Sequence, residues 1–116
     1  MSDSPRISLR VVLAPDTLLG PGKANLLQAI AETGSIAAAG RRMDMSYKRA
    51  WYLIDTMNGY FGKPLVLSSK GGKTGGGAEL TALGLEVLAL YRRIETKSAK
   101  AVARDLKQLA ELAKGD

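Results

Sequence analysis

Neither cysteine nor histidine occurs anywhere in the 116 residues of this chain. Disulfides, Cys/His zinc sites, thiol nucleophiles, Ser-His-Asp triads and imidazole acid–base chemistry are thereby excluded together. No apolar run approaches the roughly 20 residues that cross a bilayer. The opening Met-Ser-Asp-Ser-Pro-Arg lacks the basic start and apolar centre of a secretory signal, so a soluble, cytoplasmic protein that makes no membrane contact is expected. Aromatic residues are scarce at 5%, which leaves Leu, Ile, Val, Met and Ala to build the core. Acids are the rarer charge: 11 Asp and Glu stand against 17 Lys and Arg, a net +6 that favours a polyanionic partner. The length suits one domain, expected over 1–116, with no room for a second.

Ile7, Leu9 and Val11 alternate with Ser8, Arg10 and Val12, as in a half-buried strand over Ile7 to Leu13. Pro15, Gly20, Pro21 and Gly22 then interrupt regular structure. From Lys23 the pattern is helical, with Leu26, Leu27 and Ile30 on one side, and Gly34 is placed to close that helix. Ser35 can cap a second, short helix carrying Ile36, Ala39 and Met43 inward and Arg41 and Arg42 outward. After a break at Asp44 and Met45, Ser46 can cap a third helix that buries Ala50, Ile54 and Met57 before Asn58 and Gly59 weaken it. Two short helices joined by such a turn form a helix-turn-helix.

Leu65 to Leu67 and Ala78 to Leu80 read as two strands around a loop rich in glycine and lysine, which would make a wing. Thr81 can cap a helix running to about Ala113. Along it Val87, Tyr91, Ile94, Ser98, Val102, Leu106, Leu109 and Ala113 recur at steps of three and four. So long a helix overhangs its own core, and its apolar stripe predicts a homodimer. The expected fold class is mainly α (α+β): a winged helix-turn-helix with an N-terminal strand region at 1–20, helix-turn-helix and wing at 21–80, and a dimerisation helix at 81–116.

Between Arg41 and Lys73 lie Arg41, Arg42, Lys48, Arg49, Lys63, Lys70 and Lys73 against only Asp44 and Asp55. A basic run alone is more often a solvated face; its coincidence with a helix-turn-helix and wing makes it the footprint of phosphate binding. Opposite the buried side of the third helix fall Lys48, Tyr52 and Asp55, with Tyr47 and Trp51 on the shoulder. Lys48 can donate to guanine O6 or N7, Tyr47 and Tyr52 can meet phosphate or a thymine methyl, and Ser46 can bond a phosphate oxygen. Trp51 beside a core stripe weighs more towards packing than readout. The Gly-Lys-Thr at 72–74 fails as a nucleotide loop, because Leu67 stands where the leading glycine belongs and three glycines follow where a helix must begin. The wing reading, with Lys70, Lys73 and Thr74 near the backbone, competes with a contact-free hairpin tip. Asp44, Asp55 and Glu79 converge on no cleft, so no catalytic residue, metal or cofactor is assigned and no enzyme is expected.

The residues from Gly34-Ser35-Ile36 through Met43, then Met45-Ser46-Tyr47-Lys48-Arg49-Ala50-Trp51, Ile54, Met57-Asn58, and Gly71-Gly72-Lys73 through Leu80-Thr81 and Gly84, resemble the N-terminal DNA-binding domain of the ModE family. These are molybdate-responsive bacterial transcription regulators, related more distantly to the LysR-type winged helix. The resemblance runs from about Leu9 to Arg93. It implies dimerisation through the N-terminal strand region and last helix, a palindromic operator read by the third helix from Ser46, Tyr47 and Lys48, and wing contacts at Lys73 and its neighbours. Full-length relatives continue into molybdate-binding domains, whereas this sequence stops at Asp116. A short form that binds DNA constitutively, or one served by a separate molybdate-sensing partner, is therefore expected.

The function expected is a homodimeric, sequence-specific regulator of transcription on double-stranded DNA. Its candidate DNA contacts are Ser35, Arg41, Arg42, Ser46, Tyr47, Lys48, Arg49, Trp51, Tyr52, Lys70, Lys73 and Thr74. Its candidate dimer contacts are Val87, Tyr91, Ile94, Val102, Leu106 and Leu109. The competing reading is a short dimerising subunit that modulates a full-length regulator.

Overall fold

The computed structural model describes residues 4–69 and 77–114. The chain begins with a small antiparallel hairpin, β1 (Val11–Ala14) and β2 (Thr17–Leu19), followed by helices α1 (Pro21–Thr33), α2 (Ile36–Arg42) and α3 (Tyr47–Asn58). A second antiparallel pair, β3 (Val66–Ser69) and β4 (Gly77–Leu80), precedes α4 (Ala82–Ala113). The winged helix-turn-helix with a long last helix is borne out, and its dimensions of 61 × 29 × 21 Å reflect the overhang of α4.

Local chemistry places most boundaries. Gly34 ends α1 in the left-handed region at φ 70°, where its N–H donates to the Ile30 carbonyl. The Ser35, Ser46 and Thr81 hydroxyls accept from the backbone N–H groups of Ala38, Arg49 and Gly84, capping α2, α3 and α4. Asp44, at φ 57°, turns the chain between α2 and α3, a conformation that Asp tolerates better than most residues. The Met45 N–H donates to the Gly40 carbonyl across the same turn.

Two expectations at the N-terminus are corrected. The alternation of half-buried Ile7, Leu9 and Val11 with exposed Ser8, Arg10 and Val12 is present, but strand pairing starts only at Val11. Thr17–Leu19 then returns as an unforeseen β2, paired Val11 to Leu19 and Val12 to Leu18, because Pro15 and Asp16 make a turn instead of ending the sheet. Helix α1 likewise starts at Pro21, two residues before Lys23; proline at the first helical position loses no hydrogen bond.

The core gathers Leu26, Leu27 and Ile30 of α1, Ala50, Ile54 and Met57 of α3, Leu65, and Val87, Leu88 and Tyr91 of α4. Leu53 is also buried, at the edge of the α3 stripe, although the spacing had singled out only three residues there. Gly84 makes the α4 root possible: a Cβ at that position would stand 2.1 Å from the Leu65 carbonyl oxygen, so the helix approaches the strand on bare backbone. Tyr91 completes the anchorage by donating its hydroxyl to the Leu9 carbonyl at 2.8 Å. Burial raises the pKa of that hydroxyl, and nearby Glu95 adds to the effect while Arg92 partly offsets it.

Candidate nucleic-acid interface

On α3 one side is wholly committed to the core and the other is free. Ala50, Leu53, Ile54 and Met57 are buried, while Tyr47, Lys48, Arg49, Tyr52 and Asp55 are exposed. Tyr47 and Tyr52 stand 57% and 61% open, too exposed for rings whose purpose is packing. The Arg49 guanidinium lies 5.5 Å above the Tyr52 ring, which orients the cation without neutralising it. Trp51 is half-buried against the core and meets Tyr47 edge-on at 6.3 Å, so it braces the shoulder of this face.

Around α3 the remaining expected contacts separate into free and occupied groups. Arg41 is exposed, but Arg42, also exposed, forms an ion pair with Glu32. Bonds from Gln28 first and Arg42 second hold the Glu32 carboxyl below its ordinary pKa. The Ser35 and Ser46 hydroxyls already accept cap hydrogen bonds, which leaves each with its own proton to donate. Lys70, Lys73 and Thr74, expected at the wing tip, lie outside the described residues.

The wing is tied to α3 through a residue that the pattern marked only as a helix weakener. Asn58 Oδ1 accepts from the N–H groups of Leu65 at 2.8 Å and Val66 at 3.1 Å, and its Nδ2 donates to the Val66 carbonyl at 3.2 Å. A single side chain thus pairs with the start of β3 as a strand would. Asparagine at the end of a helix, a few residues before a strand, is the only signal of this in the sequence. The Ala78 N–H donates to the Gly34 carbonyl at 2.9 Å, fixing β4 to the corner where α2 begins. Strand register (Val66 with Leu80, Ser69 with Gly77) then sets the direction of the wing.

A different surface opens on α4. Val87 and Tyr91, expected to face a partner, are instead buried in the chain's own core. Beyond them the stripe continues uncovered, with Ile94 at 40% and Leu109 at 63% exposure, Leu112 at 70%, and Val102 and Leu106 half-buried. Between this helix and the N-terminal segment runs a groove of about 670 Å³, lined by Ile7, Leu9, Ala99, Ala103, Leu106 and Ala110 among others. Among the described residues no cluster of acidic groups could hold a metal ion, and no helix is long and apolar enough to cross a membrane.

Residues 23–85 match the model of the bacterial regulatory helix-turn-helix protein, lysR family. The chain is 41% identical over 100 residues to the molybdenum transport protein ModE of Azotobacter vinelandii, an alignment covering 86% of this chain and 37% of the relative. It is 36% identical over 89 residues to the transcriptional regulator ModE of Haemophilus influenzae, with 77% and 35% covered. The chain therefore spans little more than a third of the length of these relatives. Among solved structures, CbnR_DBD, determined in complex with DNA, superimposes with a TM-score of 0.56 at 26% identity over 72% of this chain and 90% of its own. The chain belongs to the LysR-type family of bacterial regulatory helix-turn-helix proteins.

Proposed function

We propose that this chain reads double-stranded DNA in a sequence-specific manner as part of bacterial transcriptional control. Two copies, joined along α4, present α3 to successive major grooves about one helical turn apart, on a palindromic operator. The carrying observation is the division of α3, whose apolar side is entirely buried and whose opposite side offers Lys48, Tyr47 and Tyr52 to solvent. The relation to a domain solved on DNA supports the same reading.

Lys48 serves as a base reader, while Ser46, Arg41 and Arg49 meet phosphates. Lys70, Lys73 and Thr74 supply wing contacts to the backbone. Residues 1–116 act as one cytoplasmic unit, with strand region, reading head and dimer helix in that order. The names of the relatives point to molybdenum-linked promoters as targets. The uncovered α4 stripe would also suit a subunit that pairs with a longer regulator; size-exclusion chromatography alone and with such a regulator separates the two.

The decisive experiment selects bound duplexes from a random pool and measures affinity for the winner between 50 and 200 mM salt. A recurrent two-fold sequence is expected, with affinity falling at least about 10³-fold over that range if six or more phosphates are met. Lys48→Ala should cost about 1–3 kcal/mol on the selected duplex and little on unrelated DNA. No recurrent sequence, or an equal loss on all duplexes, would overturn the assignment.

A further inference from the structure

Beside the exposed face of α3, a cleft of about 280 Å³ lies between the N-terminal hairpin, the start of α1 and the flank of α3. Three cations from three parts of the fold line it: Arg10 before β1, Lys23 in the first turn of α1, and Arg49 of α3. Among the described residues the ion pairs are Arg42 with Glu32 and Arg92 with Glu95, so none of these three is neutralised by a carboxylate. Two are steadied by rings: the Lys23 ammonium sits 5.6 Å over Tyr60, and the Arg49 guanidinium sits over Tyr52. The first turn of α1 carries no acid, and the space above Gly22 is open, with no neighbouring atom within 4 Å of where a side chain would begin.

We infer that this cleft is a phosphate-binding site, and that the phosphate it takes is a backbone phosphodiester flanking the segment that α3 reads. Three cationic side chains that line one cleft, none of them ion-paired among the described residues, can turn together onto an oxyanion placed in it. Arg49 belongs at once to this cleft and to the edge of the α3 face, so a duplex lying on α3 continues towards Arg10 and Lys23. The site rests on the DNA-reading proposal and extends it with two residues that the helix-turn-helix pattern does not contain.

The test uses the full chain, with Arg10→Gln and Lys23→Gln together, and the exposed pair Lys100→Gln and Arg104→Gln on α4 as a control of equal charge. Each phosphate contact removed should lower the slope of log affinity against log salt by about 0.9. With one phosphate held by the cleft, the wild type should then lose about three- to fourfold more affinity than the cleft variant between 50 and 200 mM salt. The α4 control should keep the wild-type slope, and Arg10→Gln alone, which retains the aliphatic stem, should lose half as much as the pair. The cleft variant should weaken all duplexes alike, and neutral methylphosphonate linkages in the flank should weaken wild type but not the cleft variant.

A cleft variant with the slope and flank sensitivity of wild type would overturn the inference. Inorganic phosphate that shifts the Gly22 amide resonance while the duplex slope stays unchanged would transfer the site to a free oxyanion and overturn the backbone source. Wild-type protein that binds no duplex would sink the DNA reading itself, a result distinguishable from either.

Discussion

Helix α3 and the distal part of α4 are both amphipathic, yet they leave opposite faces bare. In α3 the apolar side is spent inside the protomer and the polar side, with Lys48 and two open tyrosines, is left to solvent. In α4 beyond Tyr91 the polar side is hydrated in the ordinary way, while Ile94, Leu109 and Leu112 remain uncovered. A helix whose apolar face is satisfied acts on a polyanion through its charges; one whose apolar face is unsatisfied acts on another apolar surface. Within one small chain the difference separates a face suited to a polyanion from one suited to another apolar surface.

The largest effect should come from α4. Leu106→Asp with Leu109→Asp should convert dimer to monomer in sedimentation and reduce operator affinity by about 10²-fold or more, since two linked half-sites bind far more tightly than one. The melting temperature of the reading head should barely move, because this part of α4 carries no residue of the protomer's core. A large drop in stability without dissociation would mean that the stripe packs on its own chain.

Asn58→Ala probes the other helix. It leaves the Leu65 and Val66 N–H groups without their side-chain acceptor, and chemical denaturation should show a loss of about 1–3 kcal/mol. DNA affinity should fall as well through loss of wing position, with the sequence preference set by Lys48 retained. Unchanged stability would show that water replaces the bonds at no cost.

The smallest effect is expected at Tyr91, where the buried core gives way to the bare stripe. Tyr91→Phe should cost about 1 kcal/mol for the bond to the Leu9 carbonyl. Its raised pKa means that the folded state holds the phenolic proton more tightly than the unfolded chain. This contribution is complete below the ordinary tyrosine pKa of about 10 and is lost as pH climbs through the folded value. Wild type should therefore weaken at alkaline pH along a limb that the Phe variant lacks, as measured by urea unfolding from pH 8 to 11.

Much of this molecule is legible in the chain itself because its boundaries are set by local chemistry. Ser35, Ser46 and Thr81 cap the helices that follow them, Gly34 closes the one before, and α4 ends at Ala113 as its period requires. What escaped depends on contacts distant in sequence. Thr17–Leu19 is a strand only because Val11 and Val12 lie opposite, and Asn58 matters only because Leu65 and Val66 are folded back towards it. Val87 and Tyr91 fit the stripe by period as well as Ile94 does; only the packing of α1 and the N-terminal segment against them tells core from free surface. At the proposed DNA-reading face the residue types were readable, but the engagement of Arg42 by Glu32 and the lining of one cleft by Arg10, Lys23 and Arg49 required the tertiary arrangement.

Helix α4 runs unbroken for 32 residues, about 48 Å, and is seized at its base by Gly84 against Leu65 and by Tyr91 against Leu9. It is consequently a lever: a pivot of about 5° at its free end swings the reading head by about 4 Å, close to the 3.4 Å rise of one base pair. In the proposed dimer, whatever grips that far end can move the two heads in or out of step with the turns of a duplex without touching either of them.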